Sequence, residues 1–168
     1  MRKWIRVAAL GALAGTLQAC GGGADSDPVG AAQGLLTAVQ AGDAKAFEAV
    51  LDRPAIRADL RRQMTGLALA SGLDVGGPSD FALDRMIVPQ AFKLVEADGG
   101  AALPGPPSKA QVAALVKHTG GGRACLHDLS PGQRCLLTFA HEKPGWRLVG
   151  MPAANLTVVL PAEAKAKR

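Results

Sequence analysis

Two cysteines and two histidines in the C-terminal part of the chain have side chains that can do chemistry. Cys125, His127, Cys135 and His141 are of the types that bind zinc or copper. Their spacing lacks the C-x₂₋₄-C pair of common zinc sites, and a catalytic thiol would need one reactive Cys beside a His. A disulfide between Cys125 and Cys135 and a pair of free thiols are the other readings. The compartment in which the protein folds decides between them.

The first 20 residues indicate that compartment. Three cations, Arg2, Lys3 and Arg6, precede an apolar, Ala-rich run over residues 7–17. This run is shorter than the roughly 20 apolar residues that a membrane-spanning helix needs. A small residue, Ala19, follows just before Cys20, and the chain then turns polar and Gly-rich. This order is typical of a cleaved secretory signal.

The end of this segment, Leu17, Gln18, Ala19 and Cys20, resembles the lipobox of bacterial lipoproteins. The resemblance implies that Cys20 is diacylated, that residues 1–19 are removed, and that the new amino group is acylated with a fatty acid such as palmitate. Gly21 follows the cysteine where an Asp would imply retention at the inner membrane. We therefore expect a lipid anchor at the outer membrane, facing the periplasm. An ordinary cleaved signal and a short uncleaved anchor are the alternatives.

With Cys20 bound to lipid, an even pair of cysteines is left in an oxidising compartment. Such a pair is typical of a disulfide, so we expect Cys125 and Cys135 to be bridged. A tight two-residue turn between them would place Cys135 opposite Asp128. The bridge therefore needs a looser loop around residues 129–133.

Composition excludes other classes of partner. The chain of 168 residues has 19 Lys and Arg against 14 Asp and Glu, but three of these cations lie in the signal and three in the tail. Aromatic residues make up 4% and Tyr is absent. Nothing here favours nucleic-acid binding. No cofactor is indicated, and the sequence leaves the oligomeric state open.

Periodicity divides the rest into one domain of helices followed by strands. The expected units are a signal peptide over 1–19, a lipidated tether over 20–28, one domain over 29–161, and a disordered basic tail over 162–168. Apolar spacing predicts helices over 29–41, after Asp43, and from Pro54 with Leu67 on its core face. Further helices are expected after Ser79, from Pro89 through Val95, and from the capping box of Ser108 and Gln111 until residues 119–122.

From Arg123 the period changes to two, which predicts antiparallel strands, with a last strand over 156–160. The expected fold class is α+β. N-terminal helices would pack on one face of a C-terminal antiparallel sheet of three to four strands.

Four segments resemble the domain-of-unknown-function family 2939. They are residues 38–47 (AVQAGDAKAF), 51–57 (LDRPAIR), 85–89 (RMIVP) and 145–150 (GWRLVG). The resemblance spans residues 29–160 and implies a bacterial envelope protein without assigned catalytic residues. Its helix-then-sheet order is similar to the cone-shaped nuclear-transport-factor-two-like fold, which says little about function.

Two charged groups are candidates for binding or catalysis. The first is an arginine stripe at the start of the third helix, which consists of Arg53, Arg57, Arg61 and Arg62. Asp59 is placed to pair with Arg62, and we expect the stripe to be a solvated face.

The second is the pair Asp84 and Asp98, which are candidate bases in a cone-like pocket. The chain has no Tyr to assist them.

These observations favour a lipid-anchored periplasmic protein that is not an enzyme. We expect it to act in envelope maintenance or protein–protein interaction, with the membrane and an envelope protein as partners. The alternative is a cone-like domain that binds a small ligand or lipid. A filled core with an exposed apolar surface would favour the first reading, and an enclosed apolar pocket the second.

Overall fold

The computed structural model of the chain describes residues 27–73, 76–98 and 100–162. The expected signal peptide, Cys20, and most of the tether and tail lie outside the described residues. The described part contains both helices and strands, which confirms the α+β class. Its elements are α1 (Pro28–Ala41), α2 (Ala44–Ala49), α3 (Arg53–Ala70), α4 (Asp80–Asp84), a 3₁₀ turn (Pro89–Ala91), β1 (Phe92–Glu96), α5 (Lys109–Ala113), β2 (Val116–Gly120), β3 (Arg123–His127), β4 (Cys135–Glu142), β5 (Gly145–Gly150) and β6 (Leu156–Leu160).

Aspartate caps begin the first three helices. The side chains of Asp27, Asp43 and Asp52 each accept a hydrogen bond of 2.8 to 3.0 Å from the backbone N–H three residues on. Each cap satisfies one of the N–H groups that a helix N-terminus leaves unpaired. Helix α1 begins at Pro28, one residue ahead of the expected start.

The expected antiparallel sheet is present and has four strands. Its order is β2-β3-β4-β5, and every neighbouring pair is antiparallel. Alternate residues of β3 and β4 face a core that α1 covers, which is the period-two pattern of a half-buried sheet. The buried side chains on these facing surfaces include Leu35, Leu36, Ala124, Leu126, Leu137, Phe139 and Leu148.

Helix α3 is fixed to the edge of this sheet at its N-terminal end. The backbone N–H of Asp52 donates to the carbonyl of Leu148 at 2.9 Å, and the N–H of Leu148 donates to the carbonyl of Val50 at 2.9 Å. These bonds form a parallel bridge between Leu51 and Leu148 beside β5. The first turns of α3 therefore pack in the core. The side chains that do so are Ile56 and Leu60.

The expectation of a helix from Pro89 is wrong. A single 3₁₀ turn ends at Ala91, and the chain continues as strand β1. Strand β1 pairs in parallel with β6, with Phe92 opposite Leu156, as a separate two-stranded sheet. The partner strand comes from the far end of the chain. Local periodicity therefore cannot detect the pairing, and tertiary contacts override the helical signal.

The helix that begins at the Ser108 capping box is also shorter than expected. The capping box is present, but α5 ends at Ala113 and residues 116–120 form strand β2. Lys117 lies opposite Cys125. Gly120, Gly121 and Gly122 have φ values of 87°, 59° and 68°, so they turn the chain between β2 and β3 in a region that glycine adopts freely.

Cys125 and Cys135 form the expected disulfide, with their Cα atoms 5.6 Å apart. Cys125 lies opposite Thr138, whereas Cys135 lies opposite His127, so the bridge runs diagonally across a bulge in the β3–β4 pair. The loop between them is held by Asp128. Its carboxylate accepts four hydrogen bonds at 2.5 to 3.2 Å, from the hydroxyl and the backbone N–H of Ser130 and from the backbone N–H and Nε of Arg134. The hydrogen bond from the Ser130 hydroxyl is the largest cause of the lowered pKa of the Asp128 carboxyl.

We expect removal of the bridge to destabilise the domain without changing its fold. The sequence separation of 10 residues corresponds to a chain-entropy effect of about 2 to 3 kcal/mol in the unfolding free energy. Urea unfolding of Cys125→Ser/Cys135→Ser against the parent chain measures this difference. Intact mass after thiol alkylation is the control: two alkylated thiols in the periplasmic parent protein would contradict the bridge.

Candidate functional site

The arginine stripe is not the solvated face that the sequence predicts. Three of its members pair with carboxylates outside α3. Only the expected pair of Arg62 and Asp59, 2.8 Å apart, lies within the helix. The stripe is therefore a connection between elements. Its pairs are Arg53 with Glu48 and Asp84, Arg57 with Asp84 and Asp80, and Arg61 with Asp80.

Asp84 is the centre of this connection. Arg57 donates to it twice, from Nε at 2.7 Å and from Nη2 at 2.6 Å, and Arg53 donates from Nη1 at 3.0 Å. The hydrogen bond from Arg57 is the largest cause that holds the pKa of the Asp84 carboxyl below its usual range. A carboxylate in this state is a poor proton acceptor, because its charged form is already stabilised. Asp84 thus serves to clamp α4 onto α3.

The other candidate base, Asp98, is exposed in the turn after β1. The structure therefore does not bring the two candidate bases together, and neither has the surroundings of a general base.

The clamp holds α4 with one apolar side chain buried and another in solvent. Leu83 is fully buried in the core, whereas Phe81, two residues earlier, is 74% exposed. Burying a Phe side chain contributes about 1.5 to 3 kcal/mol relative to leaving it in water. Phe81 makes no such contribution to folding of the described domain.

The C-terminal end of α3 exposes further apolar side chains. Leu67, Leu69 and Leu73 are 65%, 64% and 56% exposed. The expectation that Leu67 belongs to the core face is wrong, because the helix extends beyond the body that buries Ile56. We call Leu67, Leu69, Leu73 and Phe81 the apolar surface. Three of the four occur within seven residues at one helix end, and exposed apolar groups that occur together mark interaction sites more often than single ones do.

Several hollows of about 100 to 370 Å³ lie on the described part of the chain, and each of these is partly open to solvent. One of about 310 Å³ lies between the 3₁₀ turn and the segment before β6. Its lining mixes apolar and polar side chains, without the enclosed apolar wall of a ligand site. The residues lining it include Arg85, Met86, Val88, Gln90, Pro152 and Asn155.

The cysteines and histidines do not form a metal centre. Both sulfurs are engaged in the disulfide, and His127 Nδ1 lies 2.5 Å from the carbonyl of Gln133. His141 lies edge-on to Trp146, with ring centroids 5.4 Å apart, and His118 lies on the same indole at 5.6 Å. Over residues 27–73, 76–98 and 100–162, no group of three or more His, Cys, Asp or Glu is placed to hold a metal.

Sequence reasoning missed Leu69, Leu73 and the exposure of Phe81. One signal was available: residues 63–73 contain no ionisable side chain, which is unusual at the exposed end of a helix. The ion pairs of Asp80 and Asp84 with α3 had no local signal.

The fold and these residues define a small α+β domain with a filled core and an exposed apolar surface. A comparison with protein families matches residues 19–97 to the family described as Protein of unknown function (DUF2939). The match supports the resemblance over residues 19–97, which include α1 to β1, whereas the resembling segment 145–150 lies outside it. Comparisons with curated proteins and with solved structures give no match. The cone-shaped analogy therefore stays a prediction.

Across the part of the chain that the structure describes, no helix has the length and apolar character needed to cross a membrane.

We expect Asp84→Asn to weaken the attachment of α4 at neutral pH. Because the folded-state pKa of Asp84 is lowered, its ion pairs stabilise the fold above the unfolded-state pKa, and this stabilisation is lost as pH falls through the folded-state pKa. The variant should therefore unfold at lower urea than the parent at neutral pH, and the two should converge in acid. Circular dichroism at a series of pH values measures this.

Asp98→Asn is the matched control, since it removes an exposed carboxylate outside the clamp. It should unfold with the parent at neutral pH. Equal urea midpoints for Asp84→Asn and the parent at neutral pH would show that the clamp does not stabilise the domain.

Proposed function

We propose that this chain is a lipid-anchored protein of the bacterial envelope that carries out no reaction and works by contact. It is held at the outer membrane, facing the periplasm, and serves envelope maintenance or protein–protein interaction. The observation that carries the proposal is the apolar surface beside a filled core.

The proposed anchor is supported by the sequence before the domain. Arg2, Lys3 and Arg6, the short apolar run, and the lipobox-like ending at Cys20 occur in the order that secretion and lipidation need. Helix α1 begins at Pro28 with its cap at Asp27. The chain between lipid and domain is therefore short.

The contact role is supported by the arrangement of α3 and α4. Three ion-paired arginines hold α4 in place while Phe81 points to solvent. A side chain of this size, exposed on a clamped helix, costs little ordering entropy when a partner covers it. Aromatic anchors of this kind carry much of the binding energy in protein interfaces.

The absence of catalysis is part of the proposal and is supported by how the candidate groups are used. Asp84 is engaged by two arginines, and the Cys125 and Cys135 sulfurs are bridged. Among the described residues, no buried side-chain nitrogen or oxygen lacks a hydrogen-bond partner.

Replacing Cys20 tests the anchor. We expect Cys20→Ser to leave an unprocessed precursor that incorporates no labelled palmitate, because a serine offers no thiol for the lipid. Gel mobility and palmitate labelling in cells measure both effects. Cys125→Ser/Cys135→Ser keeps Cys20 and should label like the parent. Unchanged labelling of Cys20→Ser would refute the anchor.

Photo-crosslinking tests the contact role. A photoreactive amino acid at position 81 should give a discrete protein adduct in cells, because Phe81 lies on the proposed contact surface. Position 129 is the matched control, since Leu129 is also a large apolar residue, 47% exposed, but lies on the disulfide loop. Phe81→Ser should change the unfolding free energy by less than about 0.5 kcal/mol, so lost contacts would not reflect misfolding.

Equal adducts from positions 81 and 129, or none from position 81, would count against the contact role. Mass spectrometry of the adducts distinguishes these outcomes.

A further inference from the structure

The C-terminal end of α3 and the three residues after it, 66–73, expose leucine side chains on opposite sides; we call this segment the α3 tip. Leu67 and Leu69 are two residues apart, so their side chains leave the helix about 200° from each other. Both are nearly two-thirds exposed, and no ionisable side chain occurs over residues 63–73, before Asp74. A groove in a partner protein takes one face of a helix, with anchors three and four residues apart. A helix end with exposed leucines on opposite sides fits a medium that surrounds it.

We infer that the α3 tip enters the surface of the lipid bilayer to which the protein is anchored. The inference rests on the lipid anchor proposed above. It names the bilayer, at the boundary between headgroups and acyl chains, as the occupant of this part of the apolar surface.

Several backbone carbonyls of the α3 tip are hydrogen-bonded, which lowers the cost of placing them in an apolar medium. A helix C-terminus normally leaves carbonyl groups unpaired, and in lipid each unpaired group is costly. Here Leu73 N–H donates to the Ala68 carbonyl at 2.9 Å and Gly72 N–H donates to the Leu69 carbonyl at 3.0 Å. The Ser71 hydroxyl donates to the Leu67 carbonyl at 2.9 Å. The carbonyls of Leu67, Ala68 and Leu69 are thus satisfied within the tip.

This closing pattern is a Schellman motif, with Gly72 at φ 71°. Such motifs commonly pair an apolar residue after the helix with one in its last turn, which accounts for Leu73 and Leu67 as neighbours. It does not account for Leu69. It also leaves all three leucines more than half exposed.

Charged side chains mark where insertion would stop. Arg61 and Arg62 precede the uncharged stretch, and the Arg62 side chain is largely exposed. From Arg62 to Leu69 the helix rises about 10 Å. Interfacial helices bury their apolar faces about 5 to 10 Å into the boundary region. The two arginines, which are paired with Asp80 and Asp59, would then lie at headgroup level.

The anchor keeps the tip within reach of the bilayer. Seven residues lie between Cys20 and Pro28, and a fully extended chain of these eight steps spans at most about 29 Å. A domain of roughly 130 residues has a radius of gyration of about 14 Å. The domain therefore stays within about its own diameter of the membrane, and insertion of the tip needs no further recruitment.

Fluorescence quenching in vesicles tests the inference on the full, lipidated protein. Leu69→Cys introduces one free thiol, because Cys20 carries lipid and the other two cysteines are bridged. An environment-sensitive dye on this thiol should shift to the blue in phosphatidylethanolamine–phosphatidylglycerol vesicles. Brominated acyl chains should quench most of its emission. Leu129→Cys, labelled in the same way, is the control and should show neither effect.

A second variant keeps the test valid if the dye itself draws the tip to lipid. Leu67→Asp/Leu69→Asp with the dye at Leu73→Cys should stay anchored and folded, since the replaced side chains lie in solvent, but should lose the quenching. Quenching that survives both charges would overturn the inference, as would a Leu69 dye that floats with vesicles unquenched.

Failure of the anchor gives a different result. In that case the protein does not float with vesicles and takes up no palmitate, and the proposed function fails first. A dye at position 69 that shifts only when envelope proteins are added, and not in lipid vesicles, would show that a protein covers the tip and would overturn the inference.

Discussion

The backbone hydrogen bonds between residues 50–52 and β5 fix the position at which α3 begins on the sheet edge. Through the bonds of Val50 and Asp52 to Leu148, the short link between α2 and α3 becomes an extension of the sheet edge. The guanidinium of Arg147 adds a bond to the Leu51 carbonyl at 3.2 Å. Helix α3 starts from this point, with 18 residues and a length of about 27 Å. Strand β5 has six residues, about 20 Å, so a helix of this length outruns the strand beside it.

Because of this difference in length, the two ends of α3 lie in different surroundings. Its first turns bury Ile56 and Leu60 and present the arginines that hold α4. Its last turns have no core to pack against, and their apolar side chains stay in solvent. The apolar surface is therefore a consequence of the fold's dimensions, and the ion pairs give it a fixed shape.

How far the sequence predicts this structure depends on whether the signal is local. The Asp43 and Ser108 caps, the α+β class, and the strands around Phe139 were predicted because caps and alternation act over a few residues. Strands β1 and β2 were not, because Phe92 and Lys117 take their conformation from strand partners. The disulfide was predicted from compartment and count. The pairing of Asp84 with Arg57 spans 27 residues and has no local sign, and Leu69 was overlooked although its uncharged surroundings were visible.

The parallel pairing of β1 with β6 has a consequence for the order in which the chain matures. The family match ends at residue 97, just after β1, while the partner strand spans Leu156–Leu160. A polypeptide is synthesised from its amino end. Strand β1 therefore has an unpaired edge until β6 has been made. Open edges invite pairing with other chains. The matched part of the sequence therefore lacks the strand that pairs with β1. The two-stranded sheet is complete only when β6, near the end of the chain, is present.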